Sequence, residues 1–307
     1  MLKRFIIGID LGGTNLKVAL LDLHFKIKDK RILDTKSCGT KELLISCLIN
    51  ATNKIIQDNR LAKVNILGLG IGLPGPIDIK RGLVHFFPNI RGWQEVNLKG
   101  ILRKRLGLPI FLDNDANLMC LAEHRLGAAK GFKNVVCLTL GTGVGGGIII
   151  EDKLYRGLSF AAGEIGHIPI NEKGPRCNCR GQACLEAYIG NARIIEKAQK
   201  LFRRKIALKQ LSVLAKKGNQ KAIALWSSVA EHLGIALAGV VNFLNPDCIV
   251  IGGGISGAGR VLLDKVRKVI SERAMIVQAR HAKIFKARLG NDAGLIGAAI
   301  LVKEGLR

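Results

Sequence analysis

The feature that most narrows the possible folds is a pattern written twice along the chain: an apolar strand, a Gly/Thr turn, a second apolar strand and an acidic end. Ile6-Ile7-Gly8-Ile9-Asp10-Leu11-Gly12-Gly13-Thr14 runs through Val18-Ala19-Leu20-Leu21 to Asp22. Val135-Val136-Cys137-Leu138-Thr139-Leu140-Gly141-Thr142-Gly143 runs through Ile148-Ile149-Ile150 to Glu151. Ten residues separate Gly12 from Asp22, and ten separate Gly141 from Glu151. Each half later carries another apolar strand that runs into glycine, at 66–72 and at 248–254. The interval from Gly12 to Gly72 is 60 residues and that from Gly141 to Gly252 is 111, so the second half has gained about 51. Two duplicated α/β halves follow, and 307 residues leave room for two lobes of roughly 150 residues each.

Helical periodicity fills the intervals, at 42–58, 98–106, 117–126, 193–217, 221–243 and 259–272. Strands alternating with helices predict mixed sheets flanked by helices, with a ligand crevice between the lobes. Residues 117–126 begin the helix that crosses into the second lobe, and 293–302 pack back on the first. The expected boundaries are 1–117 plus 296–307 for a small lobe and 118–295 for a large one.

No export signal is expected, because Asp10 ends the first apolar stretch after five residues. Residues 134–150 approach membrane-span length, but five glycines crowd the second half of that run, which reads as strand, turn, strand. A cytoplasmic protein with no membrane partner is therefore expected. Five of the eight cysteines (Cys38, Cys47, Cys120, Cys137, Cys248) lie inside apolar stretches and behave as small hydrophobes, while three cluster. The formal net charge is +25, and residues 193–221 hold ten basic side chains against one acid, Glu196. Such a segment is either a solvated helical face or an electrostatic funnel for a polyanion.

Both Gly/Thr turns can bring backbone amides close to phosphate oxygens, with Asp10 at a strand end able to reach a Mg²⁺ ion through water. Taken alone, Gly-Gly in a hairpin needs no ligand. The run Gly141-Thr142-Gly143-Val144-Gly145-Gly146-Gly147 carries five glycines in seven positions, more than one turn requires. Two such turns holding one polyphosphate make a kinase or ATPase plan, and the Gly-x-x-x-x-Gly-Lys-Ser/Thr loop is absent. Gly253 and Gly254 let a nucleoside lie against the backbone or simply make a tight strand-to-helix turn. At 113–117 a strand opens into a helix through Asp113, Asn114, Asp115 and Asn117. One residue suffices to cap a helix, so four polar residues suggest a site, with Asp115 kept ionised near the helix N-terminus to accept a hydroxyl proton.

His167, Cys177, Cys179 and Cys184, spaced by 10, 2 and 5 residues, supply a Cys₃His set suited to a closed, structural Zn²⁺ site. Redox chemistry is the competing use of those thiols. Glu164 and Glu186 flank the ligands, and a polyol-binding wall would use both carboxylates to accept hydroxyl hydrogens.

In this order, Asp10-Leu11-Gly12-Gly13-Thr14, Leu73-Pro74-Gly75-Pro76, Asn114-Asp115-Ala116-Asn117, the Gly141–Gly147 turn, Glu164-Ile165-Gly166-His167 and the cysteine cluster resemble the ROK (repressor, ORF, kinase) sugar kinases over essentially the whole chain. The resemblance implies the duplicated actin-like ATPase (ribonuclease H-like) fold with a zinc loop in the second lobe. It implies Asp115 as catalytic base, with Gly75, Asn114, Glu164, His167 and Glu186 on the sugar. Asp10, Gly12, Gly13, Thr14, Gly141, Thr142, Gly143, Gly253 and Gly254 fall to Mg-ATP, and His167 with Cys177, Cys179 and Cys184 to zinc. A homodimer is implied as well. The family's cysteine motif reads Cys-x-Cys-Gly-x-x-Gly-Cys, and here Arg180 and Ala183 replace both glycines; Gly181 is expected to supply the backbone freedom.

The expected reaction is phosphorylation of a hexose, glucose first, at its 6-hydroxyl by ATP, with polyphosphate as the alternative donor. An N-acetylmannosamine or N-acetylglucosamine kinase is the alternative within the family. A non-catalytic sugar sensor or repressor is the alternative of another class. The phosphate turn begins at Asp10, which leaves no room here for a helix-turn-helix before it, so nucleic acid is not an expected partner.

Overall fold

A computed structural model describes residues 3–12, 15–87, 90 and 92–306. The chain divides into unit 1, comprising Met1–Ala122, Arg156–Ala162 and Asn291–Arg307, and unit 2, comprising Glu123–Tyr155 and Gly163–Gly290.

Unit 1 opens with β1 (Phe5–Leu11), β2 (Asn15–Asp22) and β3 (Ile27–Asp34), followed by α1 (Lys41–Asp58) and β4 (Ile66–Leu73). Short strands β5 (Ile77–Asp78), β6 (Leu83–Phe86) and β7 (Gln94–Val96) precede α2 (Leu98–Leu106), β8 (Ile110–Asn114) and α3 (Asp115–Leu126). The main sheet has the order β3-β2-β1-β4-β8; β1–β2 and β2–β3 are antiparallel, whereas β1–β4 and β4–β8 are parallel.

Alternation along β1 and β2 buries both faces of this sheet. Ile7, Ile9, Leu16, Val18 and Leu20 enter the core that α1 and α2 complete. Ile6, Ala19 and Leu21 pack with Leu295, Ala299 and Val302. The edge strand β3 is mostly exposed and carries Lys28, Lys30 and Arg31, charges that discourage further strand pairing.

Unit 2 repeats the plan. It runs through β9 (Val135–Leu140), β10 (Val144–Ile150), β11 (Lys153–Tyr155), α4 (Leu185–Ile189), α5 (Asn191–Phe202), α6 (Leu208–Lys216), α7 (Gln220–Leu244), β12 (Cys248–Gly252), α8 (Arg260–Arg273), α9 (Ile276–His281) and β13 (Lys283–Lys286). Its sheet order, β11-β10-β9-β12-β13, has the same sequence of antiparallel and parallel pairings as the first. The chain then returns to unit 1 as α10 (Ala293–Gly305).

Three expectations need correcting. The helix expected at 193–217 is two helices, because Arg203 ends α5 in the left-handed conformation and Ile206 turns into the core. The small sheet β5-β6-β7 was not anticipated; its strands of two to four residues are too short for periodicity to register. Helix α3 begins at Asp115 rather than at 117, and the division between the units falls inside it, after Ala122. The long apolar α7 is of membrane-spanning length, but Leu225, Trp226, Val229, Leu233, Leu237 and Val241 are buried in the core of unit 2.

Candidate active site

In unit 1 the antiparallel register sets Asp10 opposite Lys17. Lys17 Nζ donates to Asp10 Oδ2 at 2.8 Å and to Asn291 O at 3.1 Å. Gly12 N–H donates to Asn15 O at 2.9 Å, while Gly13 and Thr14 lie outside the described residues. Asp10 pairs with Gly72, and Gly72 with Asp113. Lys17, Asp10, Gly72 and Asp113 thus form one row at the carboxyl ends of the parallel strands, where α/β sheets hold ligands.

Where β8 becomes α3, Asp113 is only 1% exposed. Its Oδ1 accepts from Asn114 N–H at 2.8 Å and Asn117 Nδ2 at 2.9 Å, and its Oδ2 accepts from Arg156 Nε at 2.8 Å and Nη2 at 2.6 Å. Asn114 does the capping: its Oδ1 accepts the N–H groups of Ala116 at 2.9 Å and Asn117 at 3.3 Å. Its Nδ2 donates to the carbonyl of Gly75 at 3.4 Å. Half-buried Asp115 stands on the first residue of α3, with Oδ1 accepting Ala116 N–H at 2.8 Å. An ionised carboxylate is favoured there by the helix N-terminus.

In unit 2 the ligand atoms of His167, Cys177, Cys179 and Cys184 all lie within 4.8 Å of one another. His167 Nδ1 is 3.7 Å from Cys177 Sγ, and Cys179 Sγ is 3.7 Å from Cys184 Sγ. Burial, reinforced by the neighbouring sulfurs, pushes the Cys184 thiol up to about 12, and burial raises Cys177 also. The Gly181 N–H, by contrast, lowers the Cys179 thiol. Three crowded sulfurs are the donor set a cation would satisfy, and one imidazole completes four ligands for Zn²⁺.

The remaining imidazole nitrogen, Nε2, is 3.8 Å from Glu164 Oε2. Glu164 is 52% exposed at its side chain. Burial, opposed by the His167 ring and reinforced by the Glu186 carboxylate, raises its pKa above the ordinary glutamate value. Glu186 Oε2 accepts Val144 N–H at 2.9 Å. Gly253, at φ 80°, lies so close to β9 that a Cβ there would come within 2.2 Å of Leu140 O. Unit 2 therefore brings together the Gly141–Gly143 turn, Gly253, Glu186, Glu164, His167 and the three cysteines.

The expected role of Gly181 is overturned. Arg180 and Ala183 themselves take positive φ, at 73° and 56°, and Gly181 does not. Cys177 N–H donates to Gly181 O, and Gly181 N–H donates to Cys179 Sγ at 3.4 Å, so that residue is held in the knuckle by hydrogen bonds. The non-glycine residues adopt the strained conformations at a cost of about 1–2 kcal/mol each.

Two functional neighbours escaped the sequence reading. Lys17 was legible in principle, since counting outward from the Gly12–Asn15 turn places it against Asp10. Arg156 was not: it is 43 residues from Asp113, and nothing local marks it among the basic residues.

Comparison with known proteins gives a match to the family model "ROK family" over residues 6–305. A glucokinase of Halalkalibacterium halodurans is 37% identical over 319 residues, covering 99% of this chain and 96% of its own. The crystal structure of a ROK family glucokinase from Streptomyces griseus, in complex with glucose and AMPPNP, is similar at TM-score 0.85 and 32% identity, with 98% of this chain and 100% of that one covered. A ROK family transcriptional regulator is similar at TM-score 0.91 and 26% identity, with 99% of this chain and 79% of that one covered.

Proposed function

The chain belongs to the ROK family, and from that premise we propose that it transfers the γ-phosphoryl group of ATP to the 6-hydroxyl of glucose. The identity to the glucokinases is higher than that to the xylose repressors, which favours the kinase over the regulators that share the body. One observation carries the assignment of the base. Asn114 already caps α3, so Asp115 is placed at the same helix start without being needed as the cap.

In this reading Asp115 orients the 6-hydroxyl and takes its proton late, because phosphoryl transfer passes through a loose transition state in which positioning and charge stabilisation dominate. Asn114, Gly75, Glu164, His167 and Glu186 hold the sugar. Gly12, Gly13, Thr14, Gly141, Thr142, Gly143, Gly253 and Gly254 receive the nucleotide. Asp10 would meet the water shell of the Mg²⁺ that accompanies ATP, and Lys17, its ion-pair partner, would meet phosphate. A zinc ion held by His167, Cys177, Cys179 and Cys184 would close the loop and fix the proton on the remaining His167 nitrogen. Cytoplasmic location, a place in glycolysis and a homodimer complete the reading, the dimer by family resemblance.

The test is a coupled assay of ADP release with glucose, N-acetylmannosamine and N-acetylglucosamine. Glucose is expected to give the highest kcat/KM. Absence of turnover with every sugar, in a protein that still binds one of them, would convert the assignment to a sensor.

A further inference from the structure

Helix α4 grips the Gly141–Val144 turn at two points. At its N-terminal end, Glu186 Oε2 accepts Val144 N–H at 2.9 Å. Just past its C-terminal end, Asn191 N–H at the start of α5 donates to Gly141 O at 3.0 Å, and a Cβ on the intervening Gly190 would stand 3.2 Å from Thr142 O. The Glu186 carboxylate also occupies the space that a side chain at position 143 would need. A Cβ there would fall 2.4 Å from Oε2, whereas a Cβ at position 141 meets nothing within 4 Å. The other oxygen, Oε1, is 3.9 Å from Cys177 Sγ, so the backbone fixes one oxygen and leaves the second toward the metal loop and the Glu164 side.

We propose that the Gly141–Val144 turn positions the Glu186 carboxylate for sugar, so that sugar binding and donor binding are coupled through the single hydrogen bond from Val144 N–H to Glu186 Oε2. The proposal rests on the kinase reading, in which the carboxylate meets sugar and the turn meets phosphate. A backbone amide donating to a carboxylate makes a charge-assisted bond, and its loss frees the carboxylate to rotate away from the sugar hydroxyls. Donor phosphates that draw the turn amides toward themselves shift Val144 N–H, and the carboxylate follows. Linkage then requires the reverse: bound sugar holds the turn in the geometry the donor selects, by the same factor.

Three variants of the full, metal-loaded chain separate this role from mere packing: Gly143→Ala, the control Gly239→Ala on α7, where a Cβ meets nothing within 4 Å, and replacement of the Val144 backbone amide by an ester through incorporation of the α-hydroxy acid. Glucose affinity is measured by calorimetry without nucleotide and again with a saturating non-hydrolysable ATP analogue. In the wild type the analogue is expected to change glucose Kd several-fold. Gly143→Ala and the ester are expected to weaken glucose binding by about tenfold without nucleotide, the scale of a hydrogen bond to a charged group, and to abolish the shift. Gly239→Ala leaves glucose Kd unchanged. If Gly143→Ala fails to fold, the ester, which alters one backbone group, still decides. Wild-type glucose affinity in the ester variant, or no shift in the wild type, overturns the coupling while leaving the kinase reading intact. A wild type that neither binds nor phosphorylates glucose removes both.

Discussion

Asp115 and Asn114 are adjacent polar residues at one helix start, and the structure separates their tasks. Because Asn114 supplies the cap, Asp115→Asn is expected to leave α3 intact and to alter stability by a few tenths of a kcal/mol. Turnover should fall by roughly 10²-fold or more, as loss of a general base does, with glucose Kd from calorimetry changing far less. Near-normal turnover would remove Asp115 from the mechanism. Strain gives a second expectation at this scale. Arg180→Gly and Ala183→Gly should each raise stability by about 0.5–1 kcal/mol in urea unfolding, since relief of the positive-φ penalty exceeds the added unfolded-state entropy. That His167, Cys177, Cys179 and Cys184 come together was legible from spacing alone. The strain was not, because φ at 180 and 183 is imposed by the closure of the loop and not by its residue types.

Elements were legible where local chemistry marks their ends. Helix α2 matches its expected 98–106 because Asn97 caps it, with Oδ1 accepting Gly100 N–H at 2.9 Å, and Gly107 stops it in the left-handed conformation. Residues 193–217 were read as one helix because Arg203 offers no such mark. The two main sheets followed from the repeated strand-turn-strand pattern, whereas β5–β7 had too little length to be seen. The docking of α10 on β4 depends on Gly70, where a Cβ would come within 2.1 Å of Ala298 O, a backbone atom that cannot swing aside. Gly70→Ala is therefore expected to cost about 1–3 kcal/mol or more, read as a lower urea midpoint. An unchanged midpoint would mean that α10 shifts freely on the sheet.

For the whole molecule, one buried and one half-buried imidazole set an acid limit. Burial, with the Arg125 charge adding to it, holds His124 below the ordinary histidine value, against the opposing hydrogen bond to Phe132 O. Burial, with the Lys197 charge adding to it, does the same for His232, which stacks on Tyr188. A depressed folded pKa means that the unfolded chain binds protons the folded one refuses. The stability from both groups is then fully present above about pH 6.5 and is lost as pH falls through their folded values. Urea midpoints should drop as pH falls below about 6.5. The drop should shrink in the double variant His124→Gln/His232→Gln, and an equal drop in that variant would place the acid sensitivity elsewhere.

The strained, exposed metal loop has a consequence for the lifetime of the chain as a covalent object. A protein with 48 Lys and Arg offers trypsin many peptide bonds, yet a protease cuts only where the backbone can leave its fold. Lys173, Arg176 and Arg180 are all exposed between His167 and Cys184, and two non-glycine residues there already sit in conformations they would relax from if the ligands let go. A zinc ion held by His167, Cys177, Cys179 and Cys184 would then act as a proteolytic fuse. Chelation should open these three bonds first, giving fragments that meet near residues 173–180 by mass spectrometry while the zinc-loaded chain stays whole. First cuts elsewhere after chelation would show that the cysteine knuckle holds itself closed without a cation.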